Sequence, residues 1–575
     1  MKPTANPALR LKLPAGRARF VLGLLLMAFA GLSGRAFYLQ VMHDEWLQKK
    51  GASAYTRVIT LPAHRGIITD RHGEPLAVSA PAESVFASPG DVNMDEAQQR
   101  KLAKLLGMDY QELGKRLATE DREFVYLKRR LPPETAAEVV RMNLSGVFLK
   151  REYNRFYPAG EVTAQLLGIS DVDDRGQEGM ELAYQDWLKG APGSRHVIRD
   201  RKGRIVEDVE NLRPPQNGHD LTLSIDSKLQ YLAYRELRAA VSKHKAKAGA
   251  IVVLDVKTGE VLALANVPTF NPNNREKLDR DRTRNRAVTD LFEPGSTLKP
   301  FTVAAALEAG SVEPETLVET GPGVLQVGNR RIHDSHPEGL LTVSQVIQKS
   351  SNVGIAKIAF GFPAEKLWAV LSGAGFGSLP GSGFPGETGG LLWPHKTWKP
   401  IQHATISFGH GISVSLMQLA RAYTLFGTDG QLQPLHLLRH DEAVAGRQVI
   451  SAHTARTVRQ MMESVVSADG TAVQARVAGY RVAGKTGTAH KIENKAYSTH
   501  RYIASFVGLA PVSDPRLIVA VMIDEPRGHD YYGGQVAAPA FSEVMGAALR
   551  ALGVAPDVLL QPGFGVQASL PKEKA

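Results

Sequence analysis

Cysteine is absent from the 575 residues. That absence excludes disulfide-stapled scaffolds, thiolate metal sites and cysteine nucleophiles, yet it leaves the compartment open, because a chain this long builds cores that need no staples. Aromatic residues are sparse at 7%, and no Lys/Arg block alternates with them in the manner of a nucleic-acid surface. There is no Gly-x-Ser-x-Gly elbow, which disfavours a Ser-His-Asp hydrolase, and no phosphate-binding loop. Internal repeats are missing as well. What remains is a globular balance, 43% hydrophobic and 22% charged, in a chain too long for one ordinary domain.

One long apolar run stands out. Residues 1 to 19 carry Lys2, Arg10, Lys12, Arg17 and Arg19 and no acid, and they hold part of the formal charge of +11. Phe20 to Gly34 follows, and the apolar character resumes after Arg35 as Ala36 to Met42. As one helix this is about 23 residues, or roughly 34 Å, against a hydrocarbon core of about 30 Å. The positive-inside rule places residues 1 to 19 in the cytoplasm and the chain after Met42 outside. A cleaved signal peptide ending at Ala28-Phe-Ala30 is the rival, and the resumption of apolar residues beyond it argues for an anchor. Arg35 within the span either snorkels or faces protein, and Ala30 and Gly34 form a small-xxx-small face; a membrane-embedded partner is expected from these two features.

Beyond the anchor, Tyr55 to Thr60 reads as a strand and Arg65 to Ala77 as two extended pieces around an Asp-Arg-His-Gly turn. Met94 to Leu106 has helical periodicity. Nothing in residues 43 to 218 pairs a nucleophile with a base, so this region is expected to be a mixed α/β pedestal. A turn-rich linker, Arg213-Pro-Pro-Gln-Asn-Gly218, precedes a second organised region. Ala250 to Val256 and Glu260 to Ala265 read as a hairpin around Lys-Thr-Gly; Tyr502 to Leu509 and Leu517 to Asp524 read as strands, and Ala538 to Leu552 as a helix. Strands at both ends of a helix-rich middle predict an antiparallel sheet packed by helices. The expected division is tail 1–19, anchor 20–42, pedestal 43–218, catalytic domain 219–555 and tail 556–575.

The chemistry concentrates in Glu293-Pro-Gly-Ser-Thr-Leu-Lys-Pro-Phe301. Residues i and i+3 share a helix face, so Ser296 and Lys299 can touch, and Pro300 requires the helix to begin close to Ser296. A lysine acts as a base only where burial lowers its pKa. Alone, Ser-x-x-Lys says little, since it occurs three times, at Ser242/Lys245, Ser296/Lys299 and Ser569/Lys572. Ser242 lies at the cationic end of an amphipathic helix and Ser569 lies in the tail. Lys-Thr-Gly occurs at Lys257, in the hairpin turn, and at Lys485; Ser-x-Asn occurs at Ser350-Ser-Asn352. His333-Asp-Ser-His336 offers two loop histidines without carboxylate partners at ligand spacing, so no metal is expected.

The order Ser-x-x-Lys, Ser-x-Asn, Lys-Thr-Gly resembles that of the penicillin-recognising serine enzymes. Arg65 to Gly73, Arg155-Phe-Tyr-Pro-Ala-Gly160, Ser407-Phe-Gly-His-Gly411 and Tyr531-Tyr-Gly-Gly534 are similar to segments of class B penicillin-binding proteins, of the FtsI-type division transpeptidases in particular. The similarity covers roughly residues 17 to 555, with His72 standing where asparagine is expected. It implies an α+β, multidomain fold: a β-lactamase-like antiparallel sheet flanked by helices, a mixed α/β pedestal and one transmembrane helix.

The resemblance also implies roles. Ser296 is the nucleophile toward the penultimate D-Ala of a peptidoglycan stem peptide and Lys299 its base. Ser350 relays a proton to the leaving D-Ala, Lys485 keeps the field positive, and Asn352 orients the substrate amide and Lys299. Backbone N–H groups of Ser296 and Thr488 form the oxyanion hole, while Thr486, Gly487, Thr488 and Tyr532 contact substrate. Strand alternation alone puts Lys485 and Thr486 on opposite faces, so their sharing a pocket rests on the resemblance. The implied partners are D-Ala-D-Ala stem peptides, β-lactams, the membrane, an FtsW-like glycosyltransferase and other division proteins, with no cofactor and no nucleic acid. The implied location is the inner membrane, single-pass, with the catalytic domain periplasmic. A β-lactamase is disfavoured because no Glu-x-x-Leu-Asn follows Ser-x-Asn; an elongation-type transpeptidase and a non-turnover β-lactam sensor or scaffold stay as alternatives.

Overall fold

The computed structural model describes residues 14–42, 56–118, 122, 124–199, 205–275, 278–440, 442, 445–493, 496–528 and 530–558. Most of the basic tail, Tyr55 and residues 559–575 with Ser569 and Lys572 lie outside the described residues.

Helix α1 (Ala15–Phe37) begins after Pro14, earlier than the expected Phe20, and runs on through a wider turn over Tyr38–Met42. Its Leu- and Ala-rich content suits a helix. The 27 residues Ala15–Val41 are long and apolar enough to cross a membrane, and none is buried against other parts of the protein. This helix fits a single-pass anchor. The Arg35 guanidinium lies 5.5 Å from the Tyr38 ring centroid, so its charge has an aromatic face beside it.

The chain divides into two compact units that do not follow chain order. One is drawn from Met1–Ala63, Pro81–Tyr153 and Ala191–Gln216, the other from His64–Ala80, Asn154–Gly190 and Asn217–Ala575. In the first, Val125–Leu131 pairs antiparallel with residues 83–87. Helices Glu96–Leu106, Tyr110–Leu117 and Pro133–Arg141 pack Leu102, Leu106, Leu113 and Val139 against Val85, Leu127 and Leu131. The helix expected from Met94 starts at Glu96 because Asp95 caps it: its carboxylate accepts from Gln98 N, and the Gln98 side chain accepts from Asp95 N. Thr56–Leu61, Gly193–Arg199 and Ile205–Arg213 form a separate three-stranded antiparallel sheet.

The second unit is built on five antiparallel strands: β1 (Ala248–Asp255), β2 (Val261–Val267), β3 (Ala483–Glu493), β4 (Ala496–Ala510) and β5 (Leu517–Asp524), in the order β2-β1-β5-β4-β3. β1 and β5 are buried along their whole lengths, which explains their unbroken apolar runs: both faces are covered. Around the sheet run α2 (Ser227–Lys243), α3 (Lys299–Glu308), α4 (Val343–Lys349), α5 (Asn352–Phe360), α6 (Pro400–Ser407) and α7 (Ala538–Ala551). α2 and α7 pack on each other and on the sheet, and α3 lies in the helical middle against α5. β3 is an edge strand, so its outer side is left free for the turn that carries Ser296.

The early segments of this unit are tied to one another by a buried charge cluster. Glu181, fully buried, accepts from Arg65 Nε and Arg155 Nε at 2.6 Å each. Arg65 also donates to the carbonyls of Asp174 and Glu181 and to Gln185 Oε1. His72, the departure from the family pattern, places Nε2 3.1 Å from Asp226 Oδ2 at the cap of α2.

Candidate active site

Pro294 and Gly295 lead into a single 3₁₀ turn, Gly295–Leu298, and α3 takes over at Lys299. Pro300 is the second residue of α3, where a missing N–H leaves no bond unmade. The α-helix therefore starts at Lys299 rather than at Ser296, which sits in the tighter turn. Ser296 lines a cavity of about 520 Å³ together with Ser350, Asn352, Thr486, Thr488 and Tyr532.

Ser296 and Lys299 can share a face, but no hydrogen bond joins them. Lys299 is wholly buried, and its amine donates to Ser350 O at 2.5 Å and Ser350 Oγ at 3.2 Å. Lys485, also wholly buried, donates to the same Ser350 Oγ at 2.9 Å and to Thr486 Oγ1 at 3.2 Å. The strand alternation is kept; the reach of the lysine stem brings the amine to Thr486. One serine hydroxyl thus lies between two buried amines.

Ser350 is held in the left-handed region, φ +62°. It ends α4, and Ser351 starts α5 by accepting from Gly354 N at 2.8 Å. These back-to-back caps turn both the carbonyl and the hydroxyl of Ser350 toward Lys299. Asn352 donates from Nδ2 to His333 O at 3.0 Å, and no hydrogen bond links it to Lys299.

Thr486 Oγ1 lies 3.2 Å from Thr471 Oγ1, and Thr488 Oγ1 accepts from Gly533 N at 3.1 Å. β3 meets the Ser296 turn closely. A Cβ on Gly487 would lie 2.9 Å from Pro294 O and 2.4 Å from Ser505 Oγ. Gly409 backs the same turn: it has φ +86°, accepts from Gly295 N at 3.1 Å, and a Cβ on it would lie 2.2 Å from Gly295 O. Gly409→Ala is expected to slow serine acylation at least about 10-fold and to destabilise by roughly 1–3 kcal/mol. Adduct kinetics and a thermal melt check this, and wild-type values in both would show slack in the turn.

Burial, with Lys485 adding repulsion and Asp334 opposing it, holds Lys299 well below the ordinary lysine range. Burial brings Lys485 down to about 7. His410, which lines the cavity, is brought down to about 4 by burial and by Lys299 and His490, so its imidazole is neutral at neutral pH. Glu293 is raised by burial; it accepts from Gly411 N at 2.8 Å and from Tyr497 OH at 3.1 Å. A buried amine freed of its proton can take one from a hydroxyl, and a partly protonated neighbour attracts a carboxylate.

Tyr532 is half exposed at the rim. Its ring stacks on Tyr531 at 4.4 Å, Tyr531 stacks on Tyr502 at 4.4 Å, and Tyr502 lies 4.6 Å from His490. The sequence reading singled out Tyr532 and missed Tyr502, Tyr531, His490, His410, Thr471 and Asp334. Tyr531 and His410 lie within the family-like segments Tyr531 to Gly534 and Ser407 to Gly411, and Asp334 within His333 to His336; Thr471 carries no signal. The first Lys-Thr-Gly lies outside the cavity: Lys257 pairs with Asp514 at 2.9 Å. Among the described residues no group of three or more His, Asp or Glu could hold a metal ion.

A serine in a tight turn beside the edge strand of an antiparallel sheet, sharing a cavity with a second serine whose hydroxyl lies between two buried lysine amines, is the arrangement of the serine penicillin-recognising acyl-transfer enzymes. The family model for the penicillin-binding protein transpeptidase domain matches residues 249–546, and that for the penicillin-binding protein dimerisation domain matches residues 60–223. A probable peptidoglycan D,D-transpeptidase PenA of Neisseria meningitidis is 44% identical over 545 residues, 94% of each chain. Peptidoglycan D,D-transpeptidase FtsI of Escherichia coli is 42% identical over 550 residues, 94% of this chain and 93% of the relative. The transpeptidase domain of a Burkholderia pseudomallei penicillin-binding protein 3, solved without ligand, is 50% identical with a TM-score of 0.55; it covers 58% of this chain and 98% of its own. The chain belongs to the penicillin-binding protein transpeptidases, in the class B, FtsI-type branch.

Proposed function

We propose that this chain is a membrane-anchored peptidoglycan D,D-transpeptidase that cross-links stem peptides during septal wall synthesis and is a target of β-lactams. The observation that carries the reading is the Ser350 hydroxyl held between the amines of Lys299 and Lys485 in the cavity that Ser296 lines.

Lys299, whose pKa burial depresses, takes in its neutral form the proton of Ser296 as the hydroxyl attacks the penultimate D-Ala carbonyl. The N–H groups of Ser296 and Thr488 receive the oxyanion. As the C–N bond breaks, the proton passes through Ser350 to the departing D-Ala amine, leaving an ester on Ser296. Lys485, Thr486 and Thr488 hold the substrate carboxylate, Asn352 orients the substrate amide, and Gly487 lets β3 close on the turn. Tyr532 covers the substrate at the rim. An amine from a neighbouring stem peptide then attacks the ester, forming the cross-link and returning the proton to Ser296.

The wider reading is a cytoplasmic tail of residues 1–19, an anchor at 20–42, a pedestal over 43–218 and a periplasmic catalytic domain over 219–555. An FtsW-like glycosyltransferase beside the anchor and other division proteins complete it. Arg35 with its small-residue face supports a partner within the membrane.

The test is intact-protein mass spectrometry after incubation with a penicillin. Wild type is expected to gain one slowly hydrolysed adduct and Ser296→Ala none; an adduct persisting in Ser296→Ala would remove the nucleophile. A donor stem peptide with an amine acceptor then separates transpeptidase from non-turnover sensor by whether cross-linked product accumulates.

A further inference from the structure

The segment His333-Asp-Ser-His336 ends the hairpin of Val324–Val327 and Arg330–His333, whose register pairs Val324 with His333. Asp334 is tied to the base of that hairpin by its N–H, which donates to Gly323 O at 2.9 Å. Its carboxylate then reaches the Ser-x-Asn motif. Oδ2 accepts from Ser351 Oγ at 2.6 Å, and Oδ1 accepts from Val353 N at 3.0 Å and from Asn352 N. The neighbouring His333 carbonyl takes the Asn352 side-chain amide. Two consecutive hairpin residues thus hold the backbone and the side chain of the first turn of α5.

That grip bears on chemistry because Ser350 is the residue immediately before it. A non-glycine residue at φ +62° is costly and persists only where flanking structure imposes it. α4 imposes it from one side; on the other, Ser351 and Asn352 are held by Asp334. If the grip on residues 351–353 relaxes, Ser350 can leave the left-handed region and draw its carbonyl and hydroxyl away from Lys299. Asp334 also faces the cavity and brings a negative charge toward Lys299.

We infer that Asp334 is a positioning residue of the transpeptidase reaction, which holds Ser350 and Asn352 in register and sets the charge seen by Lys299. This rests on the proposed function and deepens it. The groups that bear on Lys299 electrostatically are Lys485 from β3, His410 from the segment after α6, and Asp334 from the hairpin. Lys349, His336, Glu338 and His490 line the same cavity. Of the two acids there, Asp334 is the one that bears on Lys299.

The experiment uses the full chain in detergent as wild type, Asp334→Asn, Asp334→Ala and Ser296→Ala. The second-order rate of acylation by a fluorescent penicillin is followed from about pH 5 to about pH 9, with a thermal melt of each protein. Asp334→Ala is expected to acylate at least about 10-fold more slowly, since nothing replaces the acceptor for Ser351 Oγ and the Asn352 and Val353 N–H groups. Asp334→Asn keeps an oxygen for the two backbone donors and is expected to recover most of the rate at its optimum. Its acid limb should move to lower pH: without the nearby negative charge, Lys299 sheds its proton more readily and stays a base further down. Wild-type rates and an unchanged profile in both variants would overturn the inference, as would equal slowing in both with an unmoved acid limb, which is loss of structure only. An adduct on Ser296→Ala would instead sink the nucleophile assignment, so the two failures are distinguishable.

Discussion

Lys299→Met is expected to slow acylation by penicillin about 10²- to 10⁴-fold, the range of a lost general base, while leaving thermal stability unchanged or higher. Most core substitutions fail on both counts, and the difference here is physical. The amine is buried and stripped of solvent, which is costly, and a methionine of similar shape removes that cost. The pH dependence follows from the two lysines. If Lys299 is the base, as proposed, acylation needs it neutral, and the rate is expected to fall as pH drops through its depressed pKa. If Lys485 serves as a cation in the site, as proposed, the rate is expected to fall again as pH rises past about 7. A bell results, and Lys485→Met should flatten its alkaline side.

Stability moves the other way with pH. Lys485 titrates near 7 in the fold against 10.5 as an ordinary lysine, so between those values the unfolded chain binds the extra proton. Wild-type stability therefore rises with pH across that window, and below about 7 the penalty is constant. The excess stability of Lys485→Met over wild type should shrink from neutral to alkaline pH. A gap that widens instead would show that burial is not what holds this lysine down.

Glu181→Ala is expected to destabilise the protein by about 3–5 kcal/mol, measured by urea or thermal unfolding. The carboxylate is the shared partner of Arg65 and Arg155, whose side chains are 2% and 0% exposed. Its removal leaves two guanidinium groups buried and uncompensated, and Arg155 Nη2 already lacks a partner. Glu181→Gln should cost less, because its carbonyl still accepts one Nε. Apolar replacement of all three residues should recover much of the loss, since the cost lies in the orphaned charges. An unchanged melt in Glu181→Ala would mean that water reaches the arginines.

Much of this was open to reading in the sequence because it is carried by local pattern. The anchor, the hairpin now seen as β1 and β2, the strands β4 and β5, and α7 announce themselves through unbroken apolar runs or helical periodicity. The residue types of the site were legible as three ordered motifs. Other features were not legible, because they depend on partners far along the chain. The joining of His64–Ala80 and Asn154–Gly190 to the unit that holds the site is one, and the Arg65–Glu181–Arg155 cluster is another. The Tyr502–Tyr531–Tyr532 stack has single tyrosines with no periodic signal, brought together when β4 and the segment before α7 come side by side.

By itself, then, the sequence determined the class of chemistry and the elements that carry it, since a nucleophile, two lysines and a Ser-x-Asn turn are properties of residue type and order. Only the tertiary structure decided that Lys299 bonds Ser350 rather than Ser296, that the Lys485 amine reaches the Thr486 hydroxyl, and that Asp334 holds the first turn of α5. Burial decides the charge of an amine, and long-range packing decides which hydroxyl it meets; neither is written in any short stretch of chain.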